Sequence, residues 1–486
     1  MRILVLACGH CGVPGSVTAT RLDPDVAVVW RRSLCDDPAT AFPDGTAPGT
    51  GIVFLAGRNL ERQAQIAEEA TRAGVHPTRV RFLDAWWLFQ DSSAKDTHLR
   101  AAIDRLRTLK DSEPAPMRET IRFRGHVSRR SLLMPGTRFR APLPRIDAAS
   151  CRAASGCDLC VRACPAGAVE RGIPPHIDPS LCTSCGICLA ACPTEAIDHP
   201  SMNFRGLEAE AKALADGAPV NLLVLCTSVL LGLRAADLPL DAARWRILEV
   251  SSLASLRPRD ILRLHSLGFD RVVGVSGGTC CPGAPGAFPV VASLLEAFGR
   301  EGLVAHWDLS DGPLPSVWSH PLPGGALSIP AANSLPEVAI AMQGENVGIV
   351  DLPGPGAGLV TIDAQGCTLC GLCSDRCWSK ALAVEEPELG ILRLTFDHGS
   401  CDACGLCMDV CPEHVLSLRQ AIDPRFVGRR IPLKEDAWIL CASCGARVAP
   451  RTLVDQIAAR LKGPLPLDLC PDCKPMRTLV LGDPRT

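Results

Sequence analysis

Residues 182–193 read CTSCGICLAACP, which sets Cys182, Cys185, Cys188 and Cys192 at the spacing C-x-x-C-x-x-C-x-x-x-C ahead of Pro193. Three thiolates this close together wrap one face of a [4Fe-4S] cube, and the fourth, offset by three residues, reaches a second cube. The run recurs as Cys157, Cys160 and Cys164 before Pro165, as Cys367, Cys370, Cys373 and Cys377, and as Cys401, Cys404, Cys407 and Cys411. Four runs make two pairs. Crossing within the first pair assigns Cys182, Cys185 and Cys188 with Cys164, and Cys157, Cys160 and Cys192 with one further ligand. In the second pair it assigns Cys367, Cys370 and Cys373 with Cys411, and Cys401, Cys404 and Cys407 with Cys377. Trp378 replaces the usual proline after Cys377. That changes the packing over one cube, and so a potential that depends on solvent exposure and hydrogen bonds to sulfur.

The first run is irregular. Aligned on Cys164-Pro165, it has Ala154 at the first ligand position and Cys151 three residues further upstream. A loop lengthened by Arg152, Ala153 and Ala154 makes Cys151 the expected completing ligand; a [3Fe-4S] cluster, or an iron with a water ligand, is the alternative. Near the C-terminus, Cys441-Ala-Ser-Cys444 and Cys470-Pro-Asp-Cys473 form two C-x-x-C knuckles around a helical stretch. Four thiolates in tetrahedral reach suit structural zinc, with rubredoxin-type iron as the alternative occupant. Six of the 26 cysteines remain: Cys8, Cys11, Cys35, Cys226, Cys280 and Cys281. Free cysteine often serves as a small buried hydrophobe; the sharper reading is a fifth cluster from Cys8, Cys11, Cys35 and a non-cysteine or external ligand.

The elements that must position these thiols are legible in outline. Five residues past the last cysteine of each run comes Val169, Ile197, Leu382 or Leu416, preceded by Ala168, Ala196, Ala381 or Val415, as expected if a short strand starts there and covers the cluster. Residues 1 to about 110 alternate strand-like ILVLA, VAVVW and GIVFLAG with helical stretches near 59–73 and 95–109, the rhythm of an open, largely parallel sheet. Residues 219–312 repeat it with NLLVLC, RWRILEV and DRVVGVSG and a helix near 258–268. Between them, residues 118–145 carry Arg118, Arg122, Arg124, Arg129, Arg130, Arg138, Arg140 and Arg145 against the single acid Glu119, read as a solvated linker or as a surface for an acidic partner. No G-x-G-x-x-G turn marks a dinucleotide fold, and GPGAG at 354–358 leads into the strand-like LVTID, so it is not a phosphate loop.

Composition narrows the function classes. The chain has 486 residues, 47% hydrophobic and 21% charged, with a formal net charge of −2, a globular profile without the basic excess that holds nucleic acid. Cysteines at metal-ligand spacing point to a reducing compartment, so cytoplasm is the expected location. The opening MRILVLACGHCG reaches cysteine and glycine too soon for a signal peptide, no run approaches a membrane span, and the Arg129-Arg130 pair lies too far inside the chain, without a following apolar stretch, for a twin-arginine export signal.

The two cysteine-rich pairs resemble bacterial-type 2[4Fe-4S] ferredoxin units. The N-terminal stretch, with His10-Cys11-Gly12, Cys35-Asp36-Asp37-Pro38 and RNLERQAQIAEEATRAGVHPTRV, resembles the N-terminal domain of the A component of heterodisulfide reductase. Residues 219 to about 300, with Cys226, Cys280 and Cys281, resemble the delta component of methyl-viologen-reducing hydrogenase. The order of units is similar to that of iron–sulfur proteins associated with formate dehydrogenases. These resemblances imply a multidomain fold: an α/β domain (1–113), an Arg-rich linker (114–147), a ferredoxin-like α+β dicluster domain (148–202), a second α/β domain (203–358), a second dicluster domain (359–420) and a zinc-ribbon-like unit (421–486). They imply an electron relay through up to four [4Fe-4S] clusters, with redox-protein partners, within a larger oxidoreductase. A factor delivering clusters or reducing power to a metalloenzyme is the alternative. No catalytic residue is expected.

Overall fold

The computed structural model describes residues 2–9, 13, 23–32, 42, 46, 50–56, 60–84, 92–109, 117–122, 137–215, 220–227, 229, 244–277, 286–312, 335–341, 347–460 and 468–474. The chain divides into two compact units, Met1–Ala154 with Asp158–Ser334, and Ser155–Cys157 with Leu335–Thr486.

The first unit opens on β1 (Ile3–Cys8), flanked in parallel by β2 (Val26–Arg31) and β3 (Gly51–Ala56), with β4 (Val80–Asp84) beyond β3. Every residue of β1 is buried. That is why ILVLAC reads as an unbroken apolar run: a parallel strand is covered on both faces. Alternate side chains divide the core, with Ile3, Val5 and Ala7 packing on Leu99, Ala102, Ile103 and Leu106, and Leu4, Leu6 and Cys8 on Ile66 and Ala70. Those partners belong to α1 (Leu60–Arg72) and α2 (Ser92–Arg107), which lie on opposite faces.

The Arg-rich stretch contains an antiparallel pair, β5 (Met117–Arg122) with β6 (Thr137–Pro142). Short elements follow: β7 (Arg145–Ile146), α3 (Leu159–Ala163), β8 (Val169–Glu170), β9 (His176–Ile177), α4 (Ile187–Ala191) and β10 (Ile197–Asp198), with β10 on β7 and β8 on β9. After α5 (Phe204–Ala215) comes a second parallel sheet of β11 (Asn221–Cys226), β12 (Trp245–Val250), β13 (Arg271–Ser276) and β14 (Val304–Asp308), with α6 (Pro258–Ser266) and α7 (Ala287–Ala297) as crossovers. Its order, β12-β11-β13-β14, repeats that of the first sheet, β2-β1-β3-β4. Both central strands end in a buried cysteine, Cys8 and Cys226.

Helix α2 packs on α5, and a charged set is sealed at that contact. Arg105 donates to Glu210 Oε2 at 2.6 Å, Arg81 donates to both Glu210 oxygens at 3.1 and 3.3 Å, and Arg105 also reaches the carbonyls of Ser201 and Glu249 at 2.7 and 3.0 Å. Burial works against the charged carboxylate, yet the two guanidinium groups hold Glu210 below its ordinary range. Breaking such a set by removing one partner costs about 3–5 kcal/mol, because it strands a buried charge. The two α/β sheets therefore share a buried, charge-paired contact.

The second unit begins with α8 (Leu335–Ala341), β15 (Val350–Asp351) and β16 (Gly358–Ile362), the last following directly on the GPGAG glycines. Then come α9 (Leu372–Arg376), β17 (Leu382–Glu388), β18 (Ile391–Asp397), α10 (Leu406–Asp409), β19 (Leu416–Ile422), β20 (Arg430–Leu440), β21 (Arg447–Pro450) and α11 (Arg451–Arg460). Two antiparallel sheets result, β15-β19-β16 and β17-β18-β20-β21. Strand β20 runs along β18 from Ile391↔Ala437 to Asp397↔Arg430, so residues on either side of position 421 share one sheet. No described helix is long and apolar enough to cross a membrane.

Candidate metal centres

Each of the three regular cysteine runs folds the same way. The residue before its second cysteine is left-handed (Ser184, Leu369, Ala403), the glycine after that cysteine is left-handed too (Gly186, Gly371, Gly405), and a helix of one turn starts there and carries the third cysteine. Three residues past the last cysteine the backbone turns left-handed again, at Glu195, Lys380 and His414. Every described non-glycine residue with positive φ is one of these six. Such a residue costs roughly 1–2 kcal/mol of backbone strain; here the strain folds the chain back so that successive thiols face one point. The first run keeps the pattern with Gly156 and Gly167 at the left-handed positions, which supports the alignment that leaves Ala154 where a cysteine stands elsewhere. Asp158, with φ of −134°, replaces the glycine at the head of α3.

The four strands expected over the clusters begin at Val169, Ile197, Leu382 and Leu416, as β8, β10, β17 and β19. In the second unit they roof a cavity of about 400 Å³, open mouth included, lined by Cys367, Cys370, Cys373 and Cys411 with Ile362, Val384, Leu394 and Leu416. Three of those thiols come from one run and Cys411 from the next. The thiols of Cys404 and Cys407 lie within electrostatic reach of Cys377. In the first unit, Cys188 lies within electrostatic reach of Cys185, Cys182, Cys160 and Cys164, and Cys182 packs with Cys164. Cys192, Cys160 and Cys151 share one apolar cluster with Cys188 and Cys164. Cys157 falls in the segment that groups with the second unit.

Burial pushes the thiols of Cys188, Cys373 and Cys401 up to about 12 and that of Cys407 up to about 11. Thiolates crowded in an apolar cradle need a cationic partner, which iron supplies, so the donor set fits an iron–sulfur cluster. Backbone donors already point at sulfur: Ala168 N–H to Cys164 Sγ at 3.2 Å, Leu369 N–H to Cys367 Sγ at 3.4 Å and Leu382 N–H to Cys377 Sγ at 3.4 Å.

The C-terminal knuckles converge. The sulfurs of Cys441, Cys444, Cys470 and Cys473 all lie within 4.8 Å of one another, with Cys444 and Cys470 at 3.6 Å. The N–H of Cys470 holds the Cys441 thiol down at about 6, while its hydrogen bond with Cys470 pushes Cys473 up to about 12. This set can hold a metal ion.

Cys8 and Cys226 close their strands as buried residues. Cys11, Cys35, Cys280 and Cys281 lie outside the described residues, as do Arg124, Arg129 and Arg130. Two buried histidines were not singled out by spacing. His199 Nε2 donates to the Pro142 carbonyl at 2.8 Å while Nδ1 accepts from Ser201 N–H, and burial lowers the ring to about 4. His398 reverses the ends: Nδ1 donates to the Gly358 carbonyl and Nε2 accepts from Asp423 N–H, both at 2.8 Å. Each neutral ring pins the chain beside a cysteine run, and only the tertiary fold reveals its partners.

Residues 175–198 and 394–417 each match the family described as 4Fe-4S binding domain. The chain therefore carries two such domains, one in each unit. No curated protein matches the chain.

Proposed function

We propose that this chain is an iron–sulfur electron-transfer protein that relays electrons through up to four [4Fe-4S] clusters between a redox enzyme and another carrier, within a larger oxidoreductase. The cradle in which Cys411 joins Cys367, Cys370 and Cys373 carries the reading, since crossing of ligands between adjacent runs is what brings two cubes together. The remaining sets follow by the same rule: Cys182, Cys185 and Cys188 with Cys164; Cys157, Cys160 and Cys192 with Cys151; Cys401, Cys404 and Cys407 with Cys377. A bound cluster supplies one-electron chemistry. The chain's own residues hold it, exclude water and set its potential: Leu394 and Leu416 are nearly fully buried at the cradle wall, and the N–H donors at sulfur favour the more negative, reduced state. Zinc is the proposed occupant of Cys441, Cys444, Cys470 and Cys473, with rubredoxin-type iron as the competing one.

The relay is tested on protein purified without oxygen. Iron and labile sulfide should be present in roughly equal amounts, sufficient for up to four cubes. After reduction by dithionite the protein should pass electrons to an artificial acceptor, yet turn over neither nicotinamide nor formate alone. Intrinsic formate oxidation or a released flavin would contradict the reading, and ready loss of clusters to an apo-acceptor would favour a delivery factor instead.

A narrower test addresses Cys151. Cys151→Ala is expected to leave one cluster short of a ligand, seen as lost iron or as the paramagnetic signal of an oxidised [3Fe-4S] cluster. Unchanged iron, sulfide and spectra in both oxidation states would show that Cys151 is not the missing ligand.

A further inference from the structure

The cluster cradled by Cys367, Cys370, Cys373 and Cys411 is gripped from the side of the C-terminal metal unit. Three side chains do this, each from a residue well past the last cysteine run. Lys434 on β20 donates to the carbonyl of Ala364 at 2.8 Å and to the carbonyl of the ligand Cys367 itself. Gln456 on α11 donates to the Gly366 carbonyl at 3.2 Å. Arg460 on α11 pairs with Glu413 at 3.0 Å, and Glu413 lines the cradle. The base of α11 is fastened to β20 in turn, because the Asp436 carboxylate accepts from Thr452 N–H at 2.7 Å and Ala437 N–H at 2.8 Å.

These contacts differ in charge. Glu413 has its counter-charge in Arg460, and Gln456 is neutral. Lys434 is a partly buried cation whose two hydrogen-bond partners are neutral carbonyls; the Asp436 carboxylate, two residues on, lies within its electrostatic reach and offsets part of the charge. Its register partner on β18 is Leu394, which is 1% exposed and forms part of the cradle wall. Low-dielectric surroundings on that side carry the field of the ammonium toward the thiolates.

We propose that Lys434, held by the pairing of β20 with β18, sets the potential of this one cluster. The proposal rests on the iron–sulfur reading above. Reduction adds one negative charge to the cluster, and a fixed positive charge at the carbonyl of its first ligand favours that state. Lys434 is thus a positioning and tuning residue that touches no substrate.

The test is a redox titration of the full-length, cluster-loaded protein, with this cluster's signal identified beforehand by its perturbation in Cys370→Ser. Lys434→Met should move that midpoint potential to a more negative value and leave the other clusters where they are. Lys434→Arg should restore it, since the charge and a donor return. A potential unmoved in Lys434→Met, or moved equally in both variants, overturns the proposal, the second result assigning Lys434 a purely structural role. Should Lys434→Met lose iron, Lys434→Gln, which keeps a donor for the carbonyls without the charge, is judged by the same criterion. Wild-type protein without iron and sulfide would overturn the relay reading; normal cluster content with an unmoved potential overturns this proposal alone.

Discussion

Replacing Cys411 by alanine should remove the cluster of the preceding run, not that of its own. Iron and sulfide are expected to fall by about a quarter if four cubes are bound, and the lost signal should be the one that Cys370→Ala also removes. The double variant Cys370→Ala/Cys411→Ala should lose no more than either single change, because both act on one cluster, whereas Cys404→Ala/Cys411→Ala should lose two. The reason is geometric: Cys411 lines the same cavity as Cys367, Cys370 and Cys373, while Cys404 and Cys407 have Cys377 as their neighbour. If Cys411→Ala and Cys404→Ala proved to remove the same signal, the crossed assignment would be wrong.

The second large effect belongs to the C-terminal knuckles. Cys444→Ser should release one zinc and leave iron nearly unchanged; a loss of one iron with no loss of zinc would establish the rubredoxin-like occupant. Removing the metal should also unfold the local structure, since the apolar cluster there consists, among the described residues, of Leu469 with Cys441, Cys470 and Cys473, joined by Val448. With so little else to bury, the free energy of folding comes from the ligands, and structural zinc supplies roughly 10–16 kcal/mol in small sites of this kind. Loss of amide protection over 441–449 on chelation, with the two α/β sheets still protected, is the expected readout.

What the sequence revealed depended on the range of the interaction. The parallel strands were legible because burial on both faces leaves unbroken runs such as ILVLAC and NLLVLC, and the helix between Pro258 and Ser266 because its apolar residues return with helical spacing. The strand starts at Val169, Ile197, Leu382 and Leu416 followed from the fixed offset after each run. Gly186, Gly371 and Gly405 hinted at a backbone turn, but the left-handed Ser184, Leu369 and Ala403 carry no such mark, because residues of these types ordinarily avoid positive φ. The pairing of β20 with β18 was hidden as well. It joins residues about forty positions apart, and from it follow the contacts of Lys434, Gln456 and Arg460, none of which belongs to a motif.

The six strained residues of the cysteine runs have a consequence for how the protein is made. At roughly 1–2 kcal/mol each, they together oppose folding by on the order of 10 kcal/mol, comparable with the whole stability of an ordinary domain. The parallel sheets carry buried cores of their own, which need no metal to form. The cysteine-run turns rest on smaller apolar clusters, around Leu382, Leu394 and Phe396 in one unit and Val169, Leu189 and Ile197 in the other, and metal–thiolate bonds add a contribution that arrives only with iron. Iron supply thus bears on how firmly the thiol loops close: in an iron-starved cell they would be the first part of the chain left open to oxidation and to proteases.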